Sequence, residues 1–183
     1  MIEVMVTLVI TLLALLGLLA LQIKAQQTEF ESYQRAQALV LLSDITDRVL
    51  ANGKSALCYD MTNWSVKYLG PESGAVPVAC TIAGTTGTQQ IANSDLTAWR
   101  NSLLGASEKT GGASGTNVGV LVGGRGCITR ISNDATGEIY EIAVVWEGRA
   151  ATVAPQSTCA TGLFSSEAQR RALTKRIKIP ILG

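Results

Sequence analysis

The four cysteines are the residues of this chain whose chemistry is easiest to assign. They stand far apart, at Cys58, Cys80, Cys127 and Cys159, and form no C-x-x-C pair. Zinc sites usually take their cysteine ligands in such close pairs. An even number of scattered cysteines indicates two disulfides formed in an oxidising compartment, with free buried thiols as the alternative.

The sequence shows no residue pattern typical of a catalytic or ligand-binding site. Histidine is absent, which excludes Ser-His-Asp and Cys-His nucleophile systems and imidazole metal sites. The glycines of Gly119–Gly126 lack the G-x-x-x-x-G-K-[ST] order, so they predict a hairpin turn rather than phosphate binding. Glu138, Glu141 and Glu147 lie along one predicted strand without a partner for general acid–base catalysis. We therefore predict that the chain is not an enzyme and that it holds neither a cofactor nor a metal.

The C-terminal segment concentrates positive charge. Around Glu167 it carries five basic residues, namely Arg170, Arg171, Lys175, Arg176 and Lys178. We expect a solvated strand face here, with a docking surface for acidic neighbours or DNA as the alternative. The whole chain has 15 basic and 14 acidic residues, so nucleic acid is not expected as a main partner.

The element that must position these residues begins at the N-terminus. Val4–Ile23 is a run of twenty residues without a charge, in which only Thr7, Thr11 and Gln22 are polar. A helix of that length reaches roughly 30 Å, the thickness of a bilayer's hydrocarbon core. Glu3 stands at the outer edge of the run, where a charge is costly unless it is paired. We predict a transmembrane helix half over residues 1–23.

Helical character continues beyond this run. No Pro or Gly occurs between Gln22 and Leu50, and one apolar face recurs every three to four residues. Its members are Phe30, Tyr33 or Gln34, Ala38, Leu41 or Leu42, Ile45 and Val49. Asn52-Gly53 predicts the stop, with Gly53 as a left-handed cap. We predict one continuous helix whose second half, residues 24–53, is amphipathic; an anchor followed by a separate helix is the alternative.

Residues 54–116 form a connector with many turn signals, among them Gly70-Pro71 and Gly111-Gly112. One short helix is expected near residues 94–104. Asn93 or Ser94 would cap its start, and Gly105 would end it.

Residues 117–183 change to the period of strands. We predict strands at Val118–Val122, Cys127–Ser132 and Glu138–Trp146, and a last one within Arg170–Leu182 that Pro180 ends or confines to an edge. Both faces of Glu138–Trp146 are largely apolar, which predicts a central strand with one face on the long helix. The turns are too short for parallel crossovers. The expected fold class is α+β, with the long N-terminal helix packed on a small antiparallel sheet.

Four cysteines allow three connectivities, and we expect Cys58–Cys80 and Cys127–Cys159. Cys58 follows the predicted end of the long helix, and Cys80 is the nearest cysteine in the connector. Cys127 opens a strand and Cys159 follows the next one, so adjacent strands can bring the two together. We expect the second bridge to matter more, because it would hold the sheet itself.

These features together resemble a known family. The IEVMVTLVI segment with its lone Glu3, one long helix, a loop-rich connector and a small disulfide-bonded sheet resemble a type IV pilin. GRGCI at 124–128, VVWEGR at 144–149, Cys159 and the basic tail after Arg170 are most similar to minor pilins of the PilV kind. The resemblance covers the whole chain, and its N-terminal motif is the most specific part. It implies a precursor with a short basic leader ending in Gly, followed by an aromatic residue, encoded upstream of Met1.

The resemblance implies a minor pilin that primes assembly or forms the tip of a type IV pilus, in twitching motility, adhesion or DNA uptake. Its partners would be other minor pilins and the major pilin through the N-terminal helix, the prepilin peptidase on the precursor, and a tip adhesin. The chain would sit in the inner membrane with a periplasmic domain and then enter the extracellular pilus. Glu3 would pair with the cleaved N-terminal amine of a neighbouring subunit and set its register; a carboxylate in headgroup water is the alternative.

Three other functions remain open at this point. A minor pseudopilin of type II secretion, of the GspI kind, shares the architecture, although chain length and the four cysteines favour the pilus. A membrane-anchored periplasmic enzyme would need a nucleophile or metal constellation that the sequence lacks. A DNA-binding module would rest on the basic tail alone.

Overall fold

The computed structural model describes residues 2–73, 76, 80–106, 109–112, 115–117 and 121–180. Its elements are helix α1 (Ile2–Ala51), a 3₁₀ helix (Gly53–Tyr59), helix α2 (Thr86–Leu103) and strands β1 (Lys109–Thr110), β2 (Thr116–Asn117), β3 (Arg125–Asp134), β4 (Gly137–Glu147) and β5 (Arg170–Ile179). Strands β1 and β2 pair with each other, and β3-β4-β5 form a three-stranded antiparallel sheet. The fold class is α+β, and the chain divides into two units between Arg35 and Ala36.

The first unit consists of helix alone. Every residue from Ile2 to Phe30 is exposed. Phe30 and Tyr33, which were expected to begin the apolar face, are both exposed, whereas Gln34 is buried. Because α1 runs unbroken from Ile2 to Ala51, the prediction of one continuous helix is confirmed.

The second unit has its main core where the end of α1 meets α2 and the sheet. From α1 the core takes Ala38, Leu42, Ile45 and Val49, all fully or nearly fully buried. The other contributors include Ala92, Leu96, Trp99 and Leu103 of α2 and Tyr140, Ile142, Val144 and Trp146 of β4. The predicted apolar face is therefore correct from Ala38 onward, and the end of α1 packs on the sheet as expected.

Helix α1 ends at Ala51, directly before the predicted stop at Asn52-Gly53, but not by the expected cap. Gly53 opens the 3₁₀ helix, and the backbone N–H of Ser55 bonds the carbonyl of Asn52 at 2.9 Å. The prediction of a left-handed Gly53 is wrong: its φ is not positive. What the position requires is space, because a Cβ on Gly53 would lie 3.3 Å from Cγ2 of Ile179.

Helix α2 begins eight residues before the predicted start at Ser94. Thr85 caps it: its hydroxyl accepts the N–H of Thr88, and the Thr88 hydroxyl accepts the N–H of Thr85 at 2.9 Å. This is a capping box with threonine in place of the usual Glu or Gln. The predicted caps Asn93 and Ser94 are wrong, since both lie inside the helix. The end is as expected, with Gly105 in the left-handed region at φ 65°.

A network of polar side chains joins the end of α1 to α2. Asp95 accepts a hydrogen bond from Nη1 of Arg48 at 3.0 Å and another from the hydroxyl of Tyr59 at 2.6 Å. The Asn52 amide donates to the same hydroxyl and to the carbonyl of Thr88. Burial, reinforced by the bond to Asp95, raises the pKa of Tyr59. Asp95 thus anchors α2 on the turn that ends α1.

The sheet follows the predicted pattern with longer strands. Strands β3 and β4 are joined by a tight turn at Ala135-Thr136, and β4 is the central strand with both faces covered, as expected. The expected strand Val118–Val122 lies largely outside the described residues, and its Leu121 and Val122 lie in a turn. Strand β5 stops at Ile179, directly before Pro180.

Trp99 and Gly126 fit closely together in the main core. The indole ring of Trp99 is fully buried, and its N–H donates to the carbonyl of Leu41 at 3.1 Å. A Cβ built on Gly126 would lie 2.3 Å from the ring. The glycine is required here because β3 passes directly over the indole.

Two disulfides join Cys58 to Cys80 and Cys127 to Cys159, the pairs expected from the sequence. The first fastens the connector to the 3₁₀ helix. The second links β3 to the loop of residues 148–169. Its two cysteines form a small second core with Ala143 and Val145 of β4 and with Ala160 of the loop. It therefore fastens a loop to the back of the sheet, whereas the strands are held by their own backbone ladders.

We predict that Gly126→Ala lowers the free energy of unfolding by about 1–3 kcal/mol, because the added methyl overlaps the Trp99 ring. Thermal unfolding of the full chain in detergent measures the change. Gly87→Ala is the matched control: the position is exposed in α2 and a Cβ there meets only the Thr85 hydroxyl at 4.0 Å. The control should gain stability through helix propensity. Equal melting temperatures for the two variants would contradict the prediction.

Each disulfide should contribute roughly 3–4 kcal/mol in the chain-entropy model, for loops of 22 and 32 residues. The longer second loop gains slightly more in this model, but because that bridge holds a loop and not the strands, its loss should not cost much more than loss of the first. Non-reducing peptide mapping tests the pairing, and melts of the two double Cys→Ser variants test the ranking. A much larger loss for the Cys127/Cys159 variant would show that the sheet itself depends on that bridge.

Candidate assembly surface

The apolar half of α1 offers its whole circumference to its surroundings. Large side chains from Ile2 to Ile23 are between 51% and 76% exposed. The most apolar stretch has a mean hydropathy of 2.8, and none of it is buried. A core helix of a soluble protein would bury such a stretch against its own chain. Among the described residues, α1 is thus the one helix long and apolar enough to span a membrane.

The polar side chains at the start of α1 differ in whether the helix itself supplies a partner for them. The hydroxyl of Thr7 donates to the carbonyl of Val4 at 2.9 Å, and that of Thr11 to the carbonyl of Thr7 at 2.8 Å. Both groups therefore cost little in an apolar medium, because their hydrogen bonds are made within the helix. Glu3 lies in the first turn and has no ion-pair partner among residues 2–73 or the later described segments. It is the charge that the surroundings of the helix must accommodate.

The N-terminal turn is a favourable place for that charge. Free N–H groups at the start of a helix carry partial positive charge, which stabilises a nearby carboxylate. The effect is modest, ~0.3–1 kcal/mol at an exposed position, and does not offset transfer into hydrocarbon. A cation supplied from outside the helix would lower the cost of burying this carboxylate by pairing with it.

Two carboxylates of β4, Glu138 and Glu141, take part in structural ion pairs. Glu138 accepts Nη1 of Arg130 at 2.8 Å and the hydroxyl of Tyr140 at 2.6 Å, and Glu141 pairs with Arg176 at 2.9 Å. Burial and the Glu138 bond raise the pKa of Tyr140. Among the described residues no three His, Cys, Asp or Glu side chains come together as a metal site.

The predicted glycine turn is only partly within the described residues, because Gly119 lies outside them. Gly123 has φ 61°, and the N–H of Gly124 bonds the carbonyl of Leu121 at 3.2 Å. This turn leads into β3 and not into a helix, so the geometry that cradles a phosphate at a helix N-terminus is not formed here.

The basic C-terminal segment is not a uniform charged face. Arg170 is 3% exposed. Arg171 donates to Thr152 Oγ1 and to the carbonyls of Ala150 and Ala168, while Lys178 donates to the Thr136 hydroxyl. The expected solvated strand face is confirmed at Lys175, Arg176 and Lys178, which are exposed, and is wrong at Arg170.

Arg170 closes the loop of residues 148–169, a role that the sequence analysis missed. Its guanidinium donates to the carbonyls of Pro155, Ser157 and Cys159 at 3.3, 2.7 and 3.3 Å, and to Glu167 at 2.6 Å. The planar fork of arginine donors suits several acceptors at once. No local sequence signal marks this, because the acceptors are backbone carbonyls 11 to 15 residues away.

Comparisons with protein-family models, with characterised proteins and with solved structures returned no match for this chain. The function therefore has to be argued from the helix, the paired cysteines and the folded unit themselves.

Glu167 supplies a prediction about pH. Its carboxylate accepts the N–H of Gly162 at 2.7 Å and the Arg170 bond, and both lower its pKa below the ordinary 4.5. A lowered folded-state pKa stabilises the loop above the unfolded value, and that stabilisation is lost as pH falls through the folded value. Amide protection factors in residues 148–169, which correct for the pH dependence of intrinsic exchange, should therefore fall as the pH drops below the ordinary value of 4.5.

Glu167→Gln should weaken protection of this loop at neutral pH and remove the part of its acid dependence that comes from this group. Glu29→Gln, at an exposed position of α1, is the control and should leave the loop unchanged. The prediction would be contradicted if the parent and Glu167→Gln had the same protection factors in this loop at neutral pH and again at acid pH.

Proposed function

We propose that this chain is a minor pilin, a structural subunit that takes part in priming or capping a type IV pilus. The observation that carries the proposal is a single helix. Its first half is apolar, exposed along its whole length and marked by one carboxylate, and it continues without a break into a disulfide-bonded α+β unit. Such a helix needs an apolar environment on all sides. A membrane provides one, and a bundle of like helices provides another.

The energetics of that exchange support an assembly subunit. Leaving a bilayer for water would expose the entire apolar run, at a cost of about 25 cal/mol per Å². When the helix moves from the bilayer into a bundle of similar helices, one low-dielectric environment replaces another and the apolar run stays out of water. The internally bonded hydroxyls of Thr7 and Thr11 suit both environments equally. Only Glu3 distinguishes them, since a bundle can supply a cation at a defined position.

In this proposal Glu3 pairs with the N-terminal amine of a neighbouring subunit. A pair of this kind in a low-dielectric core sets register more than it adds stability, because desolvation offsets much of the Coulomb attraction. The partners are other minor pilins and the major pilin along the helix, the prepilin peptidase on the precursor, and a tip adhesin. The chain is held in the inner membrane before assembly, with the folded unit in the periplasm, where both disulfides can form.

The disulfides and the ionisable clusters of the folded unit favour a structural role over an enzyme function. All four cysteines are in disulfides, so none is available as a nucleophile or thiolate ligand. The ionisable clusters of the folded unit, around Asp95 and Glu138, join secondary-structure elements to one another.

We predict that Glu3→Gln and Glu3→Val leave membrane insertion intact and lower incorporation into filaments several-fold. Removing the charge eases insertion, so a selective loss of assembly isolates the contact between subunits. The precursor is expressed in a piliated host, and the chain is quantified in membranes and in sheared filaments. Glu29→Gln, a carboxylate on the exposed helix beyond the apolar run, is the matched control and should assemble normally.

Equal amounts of the Glu3 variants and the parent in the sheared fraction would contradict the role of Glu3. Parent protein that remains in membranes and never enters surface filaments would contradict the pilus and favour the type II secretion alternative.

A further inference from the structure

A pocket in the folded unit has no role in the proposed function. It lies beside the Cys58–Cys80 disulfide, has a volume of about 320 Å³ and opens to the surface. That volume is at the lower end of the ~300–1,000 Å³ typical of small-molecule sites. We propose that this pocket binds a neutral sugar ring. The proposal does not depend on whether the chain is a pilin.

One side of the pocket is apolar and aromatic. Trp64 is half-buried and lines the pocket with Leu57 and Leu96. Its indole N–H makes no hydrogen bond within the described parts of the chain. Ile82 lines the same pocket and is 70% exposed. An indole with a partly accessible face and a free N–H can pack against the C–H face of a pyranose and donate to one of its oxygens.

The other side carries one buried acceptor that lacks a donor in the described part of the chain, on Asn93, and the carboxylate of Asp60. Oδ1 of Asn93 is buried and has no partner among the described residues. The Asp60 side chain is 7% exposed. Its Oδ1 accepts the N–H of Thr62 at 3.0 Å, the N–H of Arg130 at 3.1 Å and the hydroxyl of Thr62, and its Oδ2 accepts no hydrogen bond from the described residues. A buried acceptor left without a donor, as Oδ1 of Asn93 is, costs free energy. Sugar hydroxyls are donors as well as acceptors and can bond both Asn93 and Asp60.

The charges around the pocket favour a neutral ligand. Arg130 lies between two carboxylates, with Nη1 2.8 Å from Oε1 of Glu138 and Nε 4.0 Å from Oδ2 of Asp60. An anion would meet these carboxylates, and a cation would have to compete with the guanidinium that already neutralises them. A ring with several hydroxyls satisfies the acceptors without adding charge.

Asn93 offers a way to separate binding from packing. It lies inside α2, where Asn is a poorer helix former than Ala. Asn93→Ala also removes a buried acceptor without a partner, so the free protein should melt at the same or a higher temperature. If Asn93 were needed only for packing, Asn93→Ala would melt at a lower temperature than the parent.

The experiment uses the full chain, purified in a zwitterionic detergent because sugar-headgroup detergents would compete. Saturation-transfer-difference NMR is recorded with the methyl glycosides of glucose, galactose, mannose and N-acetylglucosamine. At least one should give a saturable response in the millimolar range. N-acetylneuraminic acid, which carries a carboxylate, should give none.

Trp64→Leu and Asn93→Ala should each weaken the response tenfold or more. Asn133→Ala, an exposed amide at the far end of β3, is the matched control and should bind as the parent does. The proposal is overturned if no neutral glycoside gives a saturable response, if only the anionic sugar binds, or if both pocket variants bind like the parent. A lower melting temperature for Asn93→Ala with unchanged binding would assign that residue to packing and overturn its role.

Discussion

One indole ring connects three elements of the folded unit. Trp99 rises from α2, its N–H reaches a carbonyl of α1 at Leu41, and its ring fills the space left open by Gly126 on β3. With only two Phe and three Trp residues in the chain, few side chains are large enough to span such a distance. The mutual placement of the two helices and the sheet depends on this contact, and the Asp95 network and the Cys58–Cys80 bridge reinforce the same junction.

Features that depend on local pattern could be predicted from the sequence. The unbroken helix follows from the absence of Pro and Gly between Gln22 and Leu50, and the central position of β4 follows from its two apolar faces. The disulfide pairs follow from where Cys58 and Cys127 stand relative to predicted elements. For the helix and for β4 the physical cause acts within a few residues or repeats with the period of the element. For the disulfides it is the order of the predicted elements that brings the paired cysteines together.

Features that depend on contacts distant in sequence could not be predicted. Arg170 looked like one more surface cation, yet it binds carbonyls of the preceding loop. The start of α2 was missed for a local reason, because its capping box uses Thr88 in place of the usual Glu or Gln and is followed by residues of weak helix propensity. The pocket beside Trp64 combines residues of the 3₁₀ helix, α2 and β3, which no spacing along the chain brings together.

The loop of residues 148–169 has a consequence for what happens when the chain is cut by a protease. Val153 is 92% exposed, and exposed loop tips are preferred sites of proteolytic nicking. Cleavage beside Val153 falls inside the covalent ring that Cys127 and Cys159 close. The two fragments would remain joined through that bridge, with β5 still paired to β4 along its whole length. A single nick there leaves the molecule in one piece.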